Sequence, residues 1–137
     1  TFTVGSGDSE YFNSAVDTID AIREFRLMHP EVGFTLGVSN VSFGLDKNSR
    51  EYLNSVFLYH CVEAGLSTAI VNVKNIIPYF QIGSEEKKLC EELIFNKRDD
   101  GFDPLAAFIN HFSKLSGSII ENKQDDLEGL STRAKQP

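Results

Sequence analysis

The residues best suited to chemistry lie in the stretch LGVSNVSFG, residues 36–44, where an apolar run gives way to Ser39, Asn40 and Ser42. A strand built only to fill a core does not end in small hydrogen-bonding groups. An Asn at a strand tip offers both a donor and an acceptor, so it can bridge loop backbone or meet a heteroaromatic ligand, and the residue types leave both uses open. Arg50, at the head of the segment that follows, could meet an anionic substituent, although most arginines so placed are simply exposed. Asn72 closes a third apolar run in the same way.

Other candidates carry less. The stretch GSGDSE, residues 5–10, holds a Gly-x-Gly turn whose backbone N–H groups could hold a phosphate at a helix start. It lacks the third glycine and the acidic residue of a dinucleotide-binding turn, so a plain strand-to-helix turn is the better reading. His29, His60 and His111 are scattered, and neither Cys61 nor Cys90 has a second soft ligand nearby, so no zinc site is expected. Ser39 and Ser42 have no His at the same strand end to activate them. Asp99–Asp100, before Gly101, reads as a solvated turn, and His60 as a partly buried, hydrogen-bonded imidazole.

The elements that must position these residues alternate. Thr1–Val4 is β-prone, and Asp8 or Ser9 is placed to cap a helix. Phe12, Ala15, Val16, Ile19 and Ile22 then recur at helical spacing, and Pro30 should end that helix. A second strand is expected over residues 34–38. The helix after it, capped by Asn48 or Ser49, turns Leu53, Val56, Phe57, His60, Cys61 and Ala64 inward and stops at Gly65. Residues 68–73, TAIVNV, read as a third strand buried on both faces, as in a parallel sheet covered by helices. A helix over about 84–95 follows, then another opened by Asp103 and Pro104, with Leu105, Phe108, Ile109, Phe112 and Leu115 as its stripe. Residues 121–137 are polar and read as a linker or frayed terminus.

Strand–helix alternation predicts right-handed parallel βαβ units in an α/β fold. Three strands make a poor finished sheet, so the natural parent is a (β/α)8 barrel or a doubly wound sheet of which the chain is one section, with ligands at the strands' carboxyl ends. Composition agrees. The 137 residues, 41% hydrophobic, suffice for one globular domain, and a formal charge of −7 argues against a nucleic-acid or anionic-membrane surface. No apolar run approaches the ~18 residues of a membrane span, and no signal-like segment opens the chain. The missing initiator Met suggests a section of a longer polypeptide, and two cysteines without CxxC spacing suit reduced thiols in a cytoplasmic protein.

Three ordered stretches, LGVSNVSFGL, REYLNSVFLYHCVEAGLSTAIVN and ELIFNKRDDG, resemble the methyltetrahydrofolate-binding domains of cobalamin-dependent methionine synthases, a likeness running from Thr1 to about Gly117. The resemblance implies a dihydropteroate synthase-like (β/α)8 TIM barrel, of which residues 1–117 would supply the last three βα units and residues 118–137 a linker towards the cobalamin-binding region. It implies transfer of the methyl group of 5-methyltetrahydrofolate to cob(I)alamin, and from there to homocysteine. By the same likeness Asn40 reaches N5 of the folate, and Ser39, Ser42 and Gly37 lie at the substrate, Gly37 and Gly44 permitting close approach of the backbone to the ring. Arg50 would sit near the folate tail, and Asn72 would face the same cavity. Cobalamin and zinc would be held by other domains, since neither the cobalamin motif nor the zinc-binding cysteines occur here. The acidic groups that anchor the pterin, including an Asp just before Thr1, are also absent. Dihydropteroate synthases would place a Lys/Arg pair after the strand's Ser, where Val41-Ser42-Phe43 has no charge. Methyltransferases acting on a corrinoid iron–sulfur protein share the Ser-Asn-Val-Ser stretch but fit HCVEAGL and NKRDDG less well. A non-catalytic interaction module, associating through exposed barrel edges, is the remaining alternative.

Overall fold

The computed structural model describes the backbone of residues 1–133 and the side chains of residues 1–118. Two short parallel strands, β1 (Thr35–Gly37) and β2 (Thr68–Ile70), pair in the register Thr35↔Thr68, Leu36↔Ala69 and Gly37↔Ile70. Four α-helices accompany them among the described residues: α1 (Ser14–Met28), α2 (Lys47–Ala64), α3 (Ser84–Ile94) and α4 (Pro104–Arg133). The β1–α2–β2 segment is the expected parallel crossover unit.

Local chemistry sets the helix limits. Asp8 caps a single 3-10 turn, Ser9–Tyr11, its Oδ1 accepting from the Glu10 amide at 3.0 Å, and α1 begins just after it. That helix buries Ala15, Ile19 and Ile22 and ends at His29, one residue before Pro30. The cap of α2 is Asp46 rather than Asn48 or Ser49. Its backbone is extended and its carboxylate accepts from the amides of both residues at 3.1 Å, so the acceptor must precede them. Gly65 ends α2 as expected, at φ +116°, with its N–H on the Cys61 and Val62 carbonyls.

The apolar faces of α2, α3 and α4 meet around Phe57, Phe108 and Phe112, with Leu53, Val56, Cys61 and Ile94 filled in between. Each fully buried Phe contributes on the order of 2–3 kcal/mol through removal of its ring from water. Of the α4 stripe, Leu105, Phe108 and Phe112 are buried, whereas Ile109 and Leu115 are exposed. The Asp99–Asp100 segment is the expected exposed turn, made tight by Gly101 at φ +86°.

Two expectations about the strands are corrected. Thr1–Val4 forms no strand: the Val4 amide donates to the Val41 carbonyl at 3.0 Å and Thr3 Oγ1 to the Phe43 carbonyl at 2.7 Å, so the segment lies against the turn after β1 instead of in a ladder. Residues 71–73 leave the sheet, and Ile70 and Val73 stand 70% and 79% exposed, because helices cover one sheet face and no described residue covers the other. The polar segment after 120, read from sequence as a linker or frayed terminus, has a helical backbone to Arg133, and its side chains and residues 134–137 lie outside the described residues.

Candidate functional site

The carboxyl ends of β1 and β2 and the first two turns of α2 enclose a cavity of about 360 Å³. Val38, Leu45, Val71 and Ile76 form its apolar part, and Ser39, Lys47, Arg50, Glu51, Asn54, Asn72 and Asn75 its polar part. Two cations, one carboxylate and three carboxamides therefore converge on one opening, a lining suited to a flat ligand with many donors and acceptors.

The wall is organised around Ser42. After β1 the chain makes one 3-10 turn, Ser39–Ser42, whose last residue is fully buried. Arg50 Nε donates to Ser42 Oγ at 3.1 Å, and Arg50 Nη2 donates to the Ser39 carbonyl at 3.2 Å. The Ser42 hydroxyl lies 2.7 Å from Asn54 Oδ1 and 3.1 Å from the Ser39 carbonyl. Helix α2 thus grips both ends of the turn. Gly44, at φ +90°, lets the chain swing back towards Asp46, a conformation that a side chain would strain.

Of the residues singled out in the sequence, Ser39, Arg50 and Asn72 line the cavity together. Ser42 stands behind the wall as a packing and hydrogen-bonding hub. Asn40 is exposed on the gripped turn, and its carboxamide makes no hydrogen bond to a described residue. Gly37 is exposed in β1, and a Cβ there would meet no described atom within 4 Å, so nothing within the described chain requires a glycine at that position. Asn72 is partly committed, since its Oδ1 accepts from the Lys74 amide at 3.2 Å. Lys47, Glu51 and Asn54 escaped the sequence reading, yet with Arg50 they form a polar stripe at three- and four-residue spacing, the signal that would have revealed them.

Two polar clusters lie elsewhere. His60 Nε2 is 3.1 Å from Glu91, which also accepts from Tyr79 Oη at 2.6 Å; burial first, then the Glu91 hydrogen bond, pushes the phenol up to about 12. His60 is thus the partly buried, hydrogen-bonded imidazole expected. His111, scattered in sequence, is brought between two carboxylates, with Nε2 2.8 Å from Glu86 and Nδ1 3.5 Å from Glu85. The His111 hydrogen bond holds the Glu86 carboxyl below its usual range. Each imidazole nitrogen faces a different glutamate, the geometry of an ion pair joining α3 to α4. Cys61 and Cys90 are free and buried, and desolvation raises the Cys61 thiol to about 12 and the Cys90 thiol further. Among the described residues no helix is long and apolar enough to cross a membrane.

Residues 2–72, which run through both strands and end at Asn72, match the pterin binding enzyme family. The chain is 42% identical over 131 residues to the methionine synthase of Mycobacterium leprae (strain TN) and 41% identical over the same length to that of Mycobacterium tuberculosis (strain ATCC 25618 / H37Rv). Each alignment takes in 95% of this chain and 11% of the relative, so the chain spans about a tenth of the length of the proteins it matches. With a family match that covers more than half of its residues, including both strand ends, the chain belongs to the pterin binding enzymes.

Proposed function

We propose that this chain is the folate-facing part of a cobalamin-dependent methionine synthase, binding 5-methyltetrahydrofolate and assisting removal of the methyl group from its N5. In this reading residues 1–117 are the C-terminal part of a (β/α)8 barrel, with β1 and β2 among its last strands, and residues 118–137 are a linker towards a cobalamin-binding domain of the same cytoplasmic polypeptide. The observation that carries the reading is the carboxamide of Asn40, without a hydrogen-bond partner among the described residues, on a turn held at both ends beside a cavity lined with amides and cations.

The cavity does not fit a corrinoid. At about 360 Å³ it lies at the small end of ligand sites, and no histidine lines it. Cobalamin, which accepts the methyl group, is therefore assigned to another domain, and so is zinc, which belongs to the homocysteine half of the reaction, because Cys61 and Cys90 are buried and form no thiolate set for it. What this chain supplies is directed at the folate. A tertiary amine is a poor leaving group, so N5 must carry a proton or a strong hydrogen bond as its methyl group departs. An amide cannot be the acid, but the Asn40 carboxamide can orient and stabilise the protonated amine. Ser39, Gly37 and Asn72 would border the ring, and Ser42 would act from behind the turn. Arg50 and Lys47 give the cavity positive charge where a carboxylate-bearing tail would lie.

Asn40→Ala in the full-length polypeptide should slow methyl transfer from 5-methyltetrahydrofolate by about 10- to 1,000-fold, the usual effect of losing one preorganised donor. Stopped-flow absorbance of the corrinoid would follow the step. An unchanged rate removes Asn40 from the chemistry.

A further inference from the structure

We infer that Asn54, in the second turn of α2, is a positioning residue for methyl transfer: its amide oxygen accepts the hydrogen bond of the Ser42 hydroxyl, which turns the Ser42 lone pairs to Arg50 and fixes the turn that carries Asn40. The inference rests on the folate reading above and assigns a residue outside the Ser-Asn-Val-Ser stretch to that site.

The argument is one of donors and acceptors. Arginine can only donate, so the 3.1 Å contact from Arg50 Nε makes Ser42 Oγ an acceptor. The hydroxyl has one proton, and two acceptors stand within reach: Asn54 Oδ1 at 2.7 Å and the Ser39 carbonyl at 3.1 Å. The shorter separation is that of a good O–H···O bond and is short for an amide N–H donor, which fixes the Asn54 carboxamide with its oxygen towards Ser42. Without that oxygen, the proton is left with the Ser39 carbonyl, which also accepts from Arg50 Nη2 at 3.2 Å, so the hydroxyl rotates and its lone pairs no longer hold their setting towards Arg50 Nε. Ser42 is fully buried, so water does not stand in for the missing partner. Arg50 and Asn54 lie one helical turn apart, so a single rigid element presents the guanidinium and the amide to the two ends of the 39–42 turn. Asn40 is held between these two anchors, and its placement against a reacting atom depends on both.

The test uses the full-length polypeptide with 5-methyltetrahydrofolate and cob(I)alamin, measuring the single-turnover rate of methyl transfer and the folate Kd separately. Asn54→Leu, close in size but without an acceptor, should lower the rate about 10- to 100-fold, the range that displacement of a reacting geometry produces, with Kd changed by less than about threefold. Asn54→Asp restores an acceptor and should keep the rate within about threefold of wild type. Ser42→Ala combined with Asn54→Leu should be no slower than the slower single variant, because both cut the same chain of bonds. The inference is overturned by a normal rate in Asn54→Leu, by an equal loss in Asn54→Asp, by additive losses in the double variant, or by a change confined to Kd, which would make Asn54 a direct ligand contact. A wild-type polypeptide that neither binds nor demethylates the folate would instead bring down the folate reading itself, a result that the wild-type arm reports before any variant is compared.

Discussion

Replacing Asp46 by alanine should loosen the cavity wall without touching any residue that faces a ligand. Asp46 precedes α2, and its carboxylate accepts from the amides of Asn48 and Ser49 and from the Ser49 hydroxyl. The Asn48 amide belongs to an exposed residue that water can serve, but Ser49 is only 1% exposed and its amide would be left without a partner. Loss of an N-cap costs about 1 kcal/mol, removal of a negative charge from the helix N-terminus about 0.5 kcal/mol, and the stranded Ser49 donor brings the total to roughly 2 kcal/mol. Because Lys47, Arg50 and Glu51 occupy the turn so capped, the penalty falls on the polar half of the cavity. Hydrogen exchange read by mass spectrometry on peptides covering residues 47–54 measures it locally, and roughly 2 kcal/mol corresponds to exchange faster by about thirtyfold. Asp46→Asn, which keeps one acceptor, should give less than about fivefold. Unchanged protection in Asp46→Ala would refute the claim that this carboxylate organises the first turn of α2.

Three further outcomes follow from the packing. Gly65→Ala places a Cβ 2.7 Å from Arg26 Cγ at a φ of +116° and should destabilise the protein by about 2 kcal/mol, a penalty partly relieved by adding Arg26→Ala, as denaturation midpoints of the two variants would report. Cys61 and Cys90, buried with raised thiol pKa values, should resist a thiol reagent at neutral pH until denaturant is added; labelling of either peptide in the native protein within seconds would contradict that. Glu86 is held below the usual carboxylate range by His111, so its stabilising contribution is present above about pH 4.3 and is lost as pH falls through the depressed value. The thermal midpoint should therefore fall on acidification below that range, and Glu86→Gln should flatten the dependence.

The helices were legible because their signals are local. The spacing of Ala15, Ile19 and Ile22, Pro30 after α1, Gly65 after α2 and Asp103-Pro104 at the start of α4 each act within a turn or two of where they stand. The strands were less legible, because a strand exists only by its pairing. TFTV has the composition of a strand, but the Val4 amide is taken by Val41, beyond the end of β1, so it joins no ladder. TAIVNV reads as buried on both faces, but whether a face is buried depends on what packs against it, and Ile70 and Val73 meet no cover among the described residues. The α2 cap was misplaced by two or three residues because Asp46, Asn48 and Ser49 are all capable acceptors, and the geometry that selects the first depends on how β1 delivers the chain to the helix.

The site shows the same division. The stretch SNVS announced itself as polar groups at the end of a strand, and all of them invited a role at a ligand. In three dimensions the turn separates them. Ser42 turns inward, Ser39 gives its carbonyl to Arg50 while bordering the cavity, and Asn40 is left with an exposed carboxamide that has no hydrogen-bond partner among the described residues. Which residue turns which way is decided by α2, where Arg50 and Asn54 take the two inward-facing groups and so determine what remains outward. A polar strand end therefore becomes a site only when a helix satisfies part of it. Reading such a motif from sequence requires finding its partners at helical spacing downstream, where Arg50 was seen and Asn54, four residues on, was not.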